Sequence, residues 1–203
     1  MERRDNYLIQ MGQAKVRFLG YDQEKLIQKF QLKADESYLY PVFLGNTYRI
    51  CRKTGNFQRL EGETWADGNS YGEVMTLLDL LCDSRDDRYL SGRWKNTQAF
   101  GLQFHRNLLE DARDSLAERF DRNPELLAAA KEQLGGRDIP GGDVGFSLEL
   151  FDGLRIGILF WHGDEEFAPR LRFLWDENAH MYLRYETMHF ALGLLRKRLL
   201  EIQ

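Results

Sequence analysis

The fold is decided by the stretch Gly142–Leu183, which reads GDVGFSLELFDGLRIGILFWHGDEEFAPRLRFLWDENAHMYL. Apolar residues alternate with small or polar ones over Val144–Leu150 and again over Leu154–Phe160. Alternation with a period of two is typical of strands that bury one face. The turn-forming pair Asp152–Gly153 separates the two runs. Together these features predict a β-hairpin.

The length of the hairpin loop decides which residues face each other. A two-residue loop at this turn would put the two apolar faces on opposite sides of the sheet. A three-residue loop that adds Phe151 pairs Leu150 with Leu154 and Leu148 with Ile156, which keeps one continuous apolar face. Because a continuous face can be buried against one core, we predict the three-residue loop.

The elements around this hairpin complete an α+β pattern. A third strand over Arg170–Trp175 should pair antiparallel with the second. One helix start is signalled by Ser70 and Glu73, which form the S-x-x-E capping box. We expect a single α+β domain over residues 1–203, with a largely antiparallel sheet of about six strands, helices packed on it and an internal boundary near 62–70. The predicted helices and hairpin regions are about Asn6–Phe30, Tyr38–Leu60, Ser70 onward, about Gln98–Phe120, a helix that Asn123 caps before Pro124, and Tyr185–Glu201.

Composition excludes several classes of function. The net charge is -4 at pH 7, and phosphate binding relies on concentrated lysine and arginine, so we expect no nucleic-acid partner. The two cysteines, Cys51 and Cys82, form no disulfide framework, which favours a cytoplasmic location. An apolar run of about 18 residues is lacking, as is a signal-peptide core at the start, so we expect no membrane association.

The residues that could carry chemistry follow the second strand. His162, Asp164, Glu165 and Glu166 offer an imidazole and three carboxylates, which could bind a metal ion or run acid–base chemistry. Trp161 directly before them could line a pocket for a small organic ligand. The alternative is a polar hairpin loop, which requires turn-forming and charged residues anyway, and we favour it. The five residues are candidate ligand-binding residues, and we assign no metal.

Two Glu-x-x-His pairs, Glu177/His180 and Glu186/His189, resemble the spacing of di-iron carboxylate helices. The pairs lie nine residues apart, which is an offset of about 180° on one continuous helix. They would face opposite ways. The third strand should also place the acidic residues 164–166 and 176–177 at opposite ends of the sheet, about 20 Å apart. We therefore expect no shared metal site.

These elements resemble the bacterial and archaeal family called domain of unknown function 3786. The resemblance covers most of the chain and is specific over residues 142–193. The matching positions are Gly92-x-Trp94, Gly135–Gly136, Gly142–Asp143, Leu159–Phe160–Trp161, Gly163–Asp164–Glu165–Glu166–Phe167, Asp176, Ala179, Tyr182–Leu183, Glu186 and Gly193.

The resemblance implies a link to anaerobic redox or cofactor metabolism, because some members carry the domain fused to a cysteine-rich iron–sulfur segment. This chain has only two cysteines, so a cluster would come from an iron–sulfur protein partner. The family's pattern does not require histidine at His162 or His180, which argues further against a metal site. It also supplies no catalytic residue.

The sequence leaves three functions open and assigns no cofactor. The first is a cytoplasmic, non-catalytic accessory module that binds a small molecule or a partner near Trp161. The second is a metal-assisted enzyme that uses the loop His162–Glu166. The third is a protein-interaction or oligomerisation domain. Both an enzyme and a binding protein therefore remain as hypotheses.

Overall fold

The structure, a computed structural model, describes residues 3–68, 70–100 and 114–203. Two compact units make up the chain: a first unit of Met1–Arg88 with Met181–Leu194, and a second of Tyr89–His180 with Leu195–Gln203. Each holds one antiparallel sheet. The α+β class is confirmed, with the strands in two sheets rather than one. The single domain over 1–203 with a boundary near 62–70 stays a prediction.

The first unit contains three helices and a six-stranded sheet in its described part. Asp22 caps the second helix by accepting hydrogen bonds from two backbone N–H groups, so the region predicted over about Asn6–Phe30 consists of two helices. The sheet has the order β1-β2-β4-β5-β6, with β3 beside β4. The elements are α1 (Arg3–Leu19), α2 (Gln23–Phe30), β1 (Lys33–Ala34), β2 (Tyr38–Tyr40), β3 (Val42–Phe43), β4 (Asn46–Cys51), β5 (Phe57–Glu61), β6 (Thr64–Ala66) and α3 (Tyr71–Asp83).

The two faces of this sheet differ in burial, as alternation along a strand requires. The inner face carries Leu39, Tyr48 and Ile50, which are at most 1% exposed. On the outer face, Tyr38 and Arg49 are only half-buried. This outer face therefore presents aromatic and charged side chains to solvent.

The predicted capping box is confirmed at the start of α3. The Ser70 hydroxyl accepts a hydrogen bond from the backbone N–H of Glu73 at 3.3 Å, and the Glu73 carboxylate accepts one from the backbone N–H of Ser70 at 2.7 Å. Further along α3, the fully buried Asp79 accepts hydrogen bonds from the backbone N–H of Arg184 at 2.9 Å and from the Thr187 hydroxyl. These contacts fix the start of the helix and tie its middle to residues 184–187 of the same unit.

The second unit contains two helices and a five-stranded sheet of order β7-β11-β10-β9-β8 in its described part. The last helix, α6 (Tyr185–Leu200), contributes residues to both units. The other elements are β7 (Trp94–Asn96), α4 (Ser115–Arg122), α5 (Glu125–Gln133), β8 (Arg137–Asp138), β9 (Val144–Phe151), β10 (Leu154–Trp161) and β11 (Arg170–Asp176).

Two helix predictions in this region have different outcomes. The helix expected over about Gln98–Phe120 falls largely on residues 101–113, which lie outside the described residues; its end appears as α4, which Asp114 caps. The cap predicted at Asn123 is wrong. Its side-chain amide donates to the carbonyl of Arg119 at 3.2 Å, and α5 begins without a side-chain cap.

The hairpin of β9 and β10 has a two-residue turn, yet it keeps the continuous apolar face that was predicted for the three-residue loop. Asp152 and Gly153 adopt φ angles of 50° and 78°, which is a two-residue turn of the type that hairpins favour. Leu154 therefore pairs with Phe151, and the predicted partner Leu150 is wrong. Leu150 is instead the extra residue of a β-bulge, beyond which the register continues as predicted. The bulge restores one continuous apolar face.

The third strand, β11, pairs antiparallel with β10 as predicted. Trp161 lies opposite Arg170, and Ile156 lies opposite Trp175. The loop after Trp161 and the residues after Trp175 are therefore at opposite ends of the sheet, as the sequence indicated.

Asp176, at the end of β11, anchors the segment that leads into β7. It is 5% exposed, and its carboxylate accepts hydrogen bonds from the backbone N–H groups of Ser91, Gly92 and Asn178 at 3.0, 2.8 and 2.8 Å, and from the Ser91 hydroxyl at 3.1 Å. A buried carboxylate with several donors is stable, whereas its loss leaves those donors without a partner.

We therefore expect Asp176→Ala to lower the free energy of unfolding by about 3 kcal/mol. Urea unfolding followed by circular dichroism measures the change. Asp138→Ala is the matched control, because the Asp138 carboxylate is 79% exposed and surface ion pairs contribute about 0.5 kcal/mol. Equal losses in the two variants would contradict this role for Asp176.

Candidate functional site

The candidate residues lie in a loop that we call the acidic loop, His162–Phe167, which follows β10. Trp161 ends β10 and is half-buried, with the guanidinium of Arg172 over its ring at 5.5 Å. Arg172 is on the neighbouring strand β11, one of whose residues lies opposite Trp161. The sheet therefore fixes the base of the loop.

His162 contacts two aspartates, and the sequence predicted neither contact. Its ring Nδ1 lies 2.9 Å from Oδ1 of Asp121, on α4, and its backbone N–H donates to Oδ2 of Asp143 at 2.8 Å. The imidazole also packs edge-on against Phe160, with 4.9 Å between ring centroids. The hydrogen bond with His162 lowers the pKa of Asp121.

The next two residues fix the path of the loop. The backbone N–H of Gly163 donates to Asp121 at 3.2 Å, and a Cβ atom at Gly163 would lie only 2.8 Å from Cδ of Pro169. The Asp164 carboxylate accepts hydrogen bonds from the backbone N–H groups of Glu166 at 2.8 Å and Phe167 at 2.7 Å. One of its two oxygens is thus occupied by the loop itself.

The tip of the acidic loop is open to solvent. Glu165 and Glu166 are exposed, and Phe167 is 69% exposed. In the parts of the chain that the structure describes, no group of three or more His, Cys, Asp or Glu residues could hold a metal ion. The five candidate residues are near neighbours in sequence; four of them are exposed in the acidic loop, and Trp161 is half-buried before it.

Three of the four residues in the Glu-x-x-His pairs have other contacts. Glu177 pairs with Arg93 at 2.5 Å and with Lys95 at 3.7 Å. His180 lies 3.2 Å from the carbonyl oxygen of Glu177. His189, which belongs to the first unit, has its Nε2 atom 3.3 Å from the hydroxyl of Tyr185.

The first unit contains an open cleft of about 730 Å³ beside α2 and the end of α3. Two of its basic side chains are engaged with neighbours: Lys29 pairs with Asp86 at 2.7 Å, and Arg85 makes two hydrogen bonds to Asp87 at 2.8 and 2.6 Å. Cys82 lines the cleft, and burial raises the pKa of its thiol to about 12. Two of the four basic side chains in the cleft are therefore already paired, and its thiol favours the protonated form.

A third group of side chains, an arginine close to two aromatic rings on the outer face of the first sheet, was not predicted from the sequence. The guanidinium of Arg49 lies between the rings of Tyr38, at 4.5 Å, and Trp65, at 4.6 Å. Because side chains alternate along β4, Arg49 lies on the opposite face of the sheet from the buried Tyr48 and Ile50. The alternation in the sequence could have predicted that Arg49 faces outward. The two rings belong to other strands, and a local sequence pattern cannot predict which strands become neighbours.

Fold and site together define an α+β protein with two antiparallel sheets and an acidic loop at the end of one of them. No helix in the described ranges is both long and apolar enough to span a membrane. A family model described as Domain of unknown function (DUF3786) matches residues 22–198 of the 203-residue chain, which belongs to this family. No curated protein and no solved structure matches the chain.

The two cysteines should differ in reactivity. A hydrogen bond with Thr54 lowers the pKa of the half-buried Cys51, whereas Cys82 is 7% exposed and its pKa is raised. Because the thiolate is the reactive form, we expect one fast-labelling thiol per native chain in a reaction with Ellman's reagent. Cys51→Ser should remove the fast phase and Cys82→Ser should leave it. Fast labelling that persists in Cys51→Ser would contradict the assignment.

Proposed function

We propose that the protein is a cytoplasmic, non-catalytic binding module that contacts a protein partner through Trp161 and the acidic loop. The observation that carries the proposal is the exposure of Glu165, Glu166 and Phe167 at the tip of a loop in which the Asp164 carboxylate accepts two backbone hydrogen bonds. A loop that is already ordered loses little conformational freedom when it binds.

The exposed groups favour a protein over a small molecule as the ligand. Small-molecule sites are concave and bury most of the ligand, whereas the three tip residues are all exposed. Two carboxylates beside one phenyl ring suit a surface with positive charge around an apolar pocket. The family resemblance suggests an iron–sulfur protein as the partner, in anaerobic redox or cofactor metabolism. A small molecule bound beside Trp161 is the alternative ligand.

The experiment compares three forms of the full chain as baits in lysate of the organism that makes the protein. They are the wild type, Phe167→Ala and Tyr89→Ala; Tyr89 is a control aromatic residue in the same unit that is 62% exposed. A partner retained by the wild type is then purified and titrated calorimetrically against each bait. We expect Phe167→Ala to weaken binding about 30-fold, as loss of an aromatic anchor does.

Tyr89→Ala should bind as the wild type does, and Glu165→Gln with Glu166→Gln should weaken binding most at low salt. A purified partner whose affinity is the same for the wild type and Phe167→Ala would rule out the acidic loop as the contact surface.

A metal-assisted enzyme at His162, Asp164 and Glu166 is the alternative from another class. The engagement of His162 with Asp121 and of Asp164 with backbone N–H groups argues against it. We expect Zn²⁺ and Mn²⁺ to leave the melting temperature of the wild type unchanged in a thermal shift assay. Stoichiometric metal uptake that Asp164→Ala abolishes would instead establish the metal site and overturn the binding-module proposal.

A further inference from the structure

The outer face of the first sheet holds a guanidinium between two aromatic rings. Arg49 lies on the central strand β4, between Tyr38 on β2 and Trp65 on β6. The guanidinium carbon lies 4.5 Å from the centroid of Tyr38 and 4.6 Å from that of Trp65, distances at which cation–π attraction is favourable. The N–H donors of a guanidinium lie in its plane, so hydrogen-bond acceptors approach it along its edges.

One of those edges is already occupied. The Nε–H group of Arg49 donates to the Oε1 atom of Gln58 at 2.6 Å. The amide nitrogen of Gln58 donates in turn to Asp67 at 3.0 Å, which fixes the orientation of the amide and leaves its oxygen facing Arg49. The guanidinium of Arg49 is therefore oriented both by the aromatic rings and by the hydrogen bonds that link it through Gln58 to Asp67.

The other edge, formed by the two terminal nitrogens, has no protein partner among the described residues. A guanidinium carries five N–H donors, of which Gln58 takes one. Two other arginines near the same sheet are paired with carboxylates: Arg52 with Glu24, and Arg59 with Glu61. Arg49 makes no such ion pair within the described ranges.

The nearby carboxylate of Asp35 is ionised, and its oxygens are engaged by other groups, although the charge of Arg49 also helps to lower its pKa. It accepts hydrogen bonds from the backbone N–H groups of Ser37 at 2.8 Å and Tyr38 at 2.7 Å, and from the Tyr40 hydroxyl at 2.6 Å. The hydrogen bond from Tyr40 is the main cause that lowers the pKa of Asp35. The hydrogen bonds of the Asp35 carboxylate are therefore made within residues 35–40, and the Nη edge of Arg49 remains available to a ligand.

We propose that Arg49, Tyr38 and Trp65 form an oxyanion-binding site that takes the carboxylate or phosphate group of a small molecule. The fork of two N–H donors on a guanidinium matches both groups in a bidentate manner. Fixing the fork before binding removes most of the entropy that a free arginine side chain would lose. The site lies in the first unit and is independent of the acidic loop.

The test is a titration of the full chain with three probes, benzoate, phenyl phosphate and benzamide, followed by ¹H–¹⁵N NMR. The signals observed are the indole N–H of Trp65, assigned with Trp65→Phe, and the Nε–H of Arg49. We expect saturable shifts of both signals with benzoate, phenyl phosphate or both, and no saturable shift with benzamide, which has the same shape as benzoate without the charge.

Two variants separate this site from nonspecific anion binding. Arg49→Lys keeps the charge but loses the fork, and should weaken binding of the oxyanion probe about ten-fold. Arg172→Gln is the matched control, because Arg172 also lies over a tryptophan ring but in the other unit; it should leave the affinity unchanged. Unchanged thermal melting of Arg49→Lys shows that the variant is folded.

The identity of the probe that binds names the source of the oxyanion: benzoate alone indicates a carboxylate, and phenyl phosphate alone indicates a phosphate. The proposal is overturned by any of three results. These are no saturable shift with either anion, equal shifts with benzamide, or an affinity that Arg49→Lys does not change. In each of these cases the arginine serves only to hold the aromatic rings together.

Discussion

The pairing of β9 with β10 is the constraint on which the second unit depends. The bulge at Leu150 lets a two-residue turn coexist with one apolar face, so that Phe146, Ile156 and Ile158 are all fully buried. A slip of one residue would turn that face to solvent. The same register fixes where the charged residues lie, because the acidic loop follows one end of β10 and Asp176 ends β11 at the other end of the sheet.

Three aspartates of the described residues bind backbone N–H groups. Asp176 collects three backbone N–H groups, Asp164 collects two, and Asp79 collects the backbone N–H of Arg184. Hydrogen bonds of this kind are favourable because each leaves no buried donor without a partner. Our two proposals for recognition rest on the tip of the acidic loop and on the free edge of Arg49.

Local patterns in the sequence predicted local structure well. Alternation gave the strands, and the S-x-x-E spacing gave the capping box at Ser70, because both depend on neighbouring residues. The bulge at Leu150 was missed because it is selected by burial of the whole sheet. The contact of His162 with Asp121 joins residues 41 positions apart, and the stack on Arg49 joins three strands, so neither has a local signal.

We infer that Asp164 shapes the acidic loop into a preformed binding surface. Hydrogen exchange of the backbone amides, measured by NMR on the wild type and on Asp164→Ala, tests it most directly. The account predicts that the amides of Glu166 and Phe167 exchange more slowly than in an unstructured chain, and that the substitution removes this protection. Exchange of both wild-type amides at the rate of an unstructured chain would contradict it.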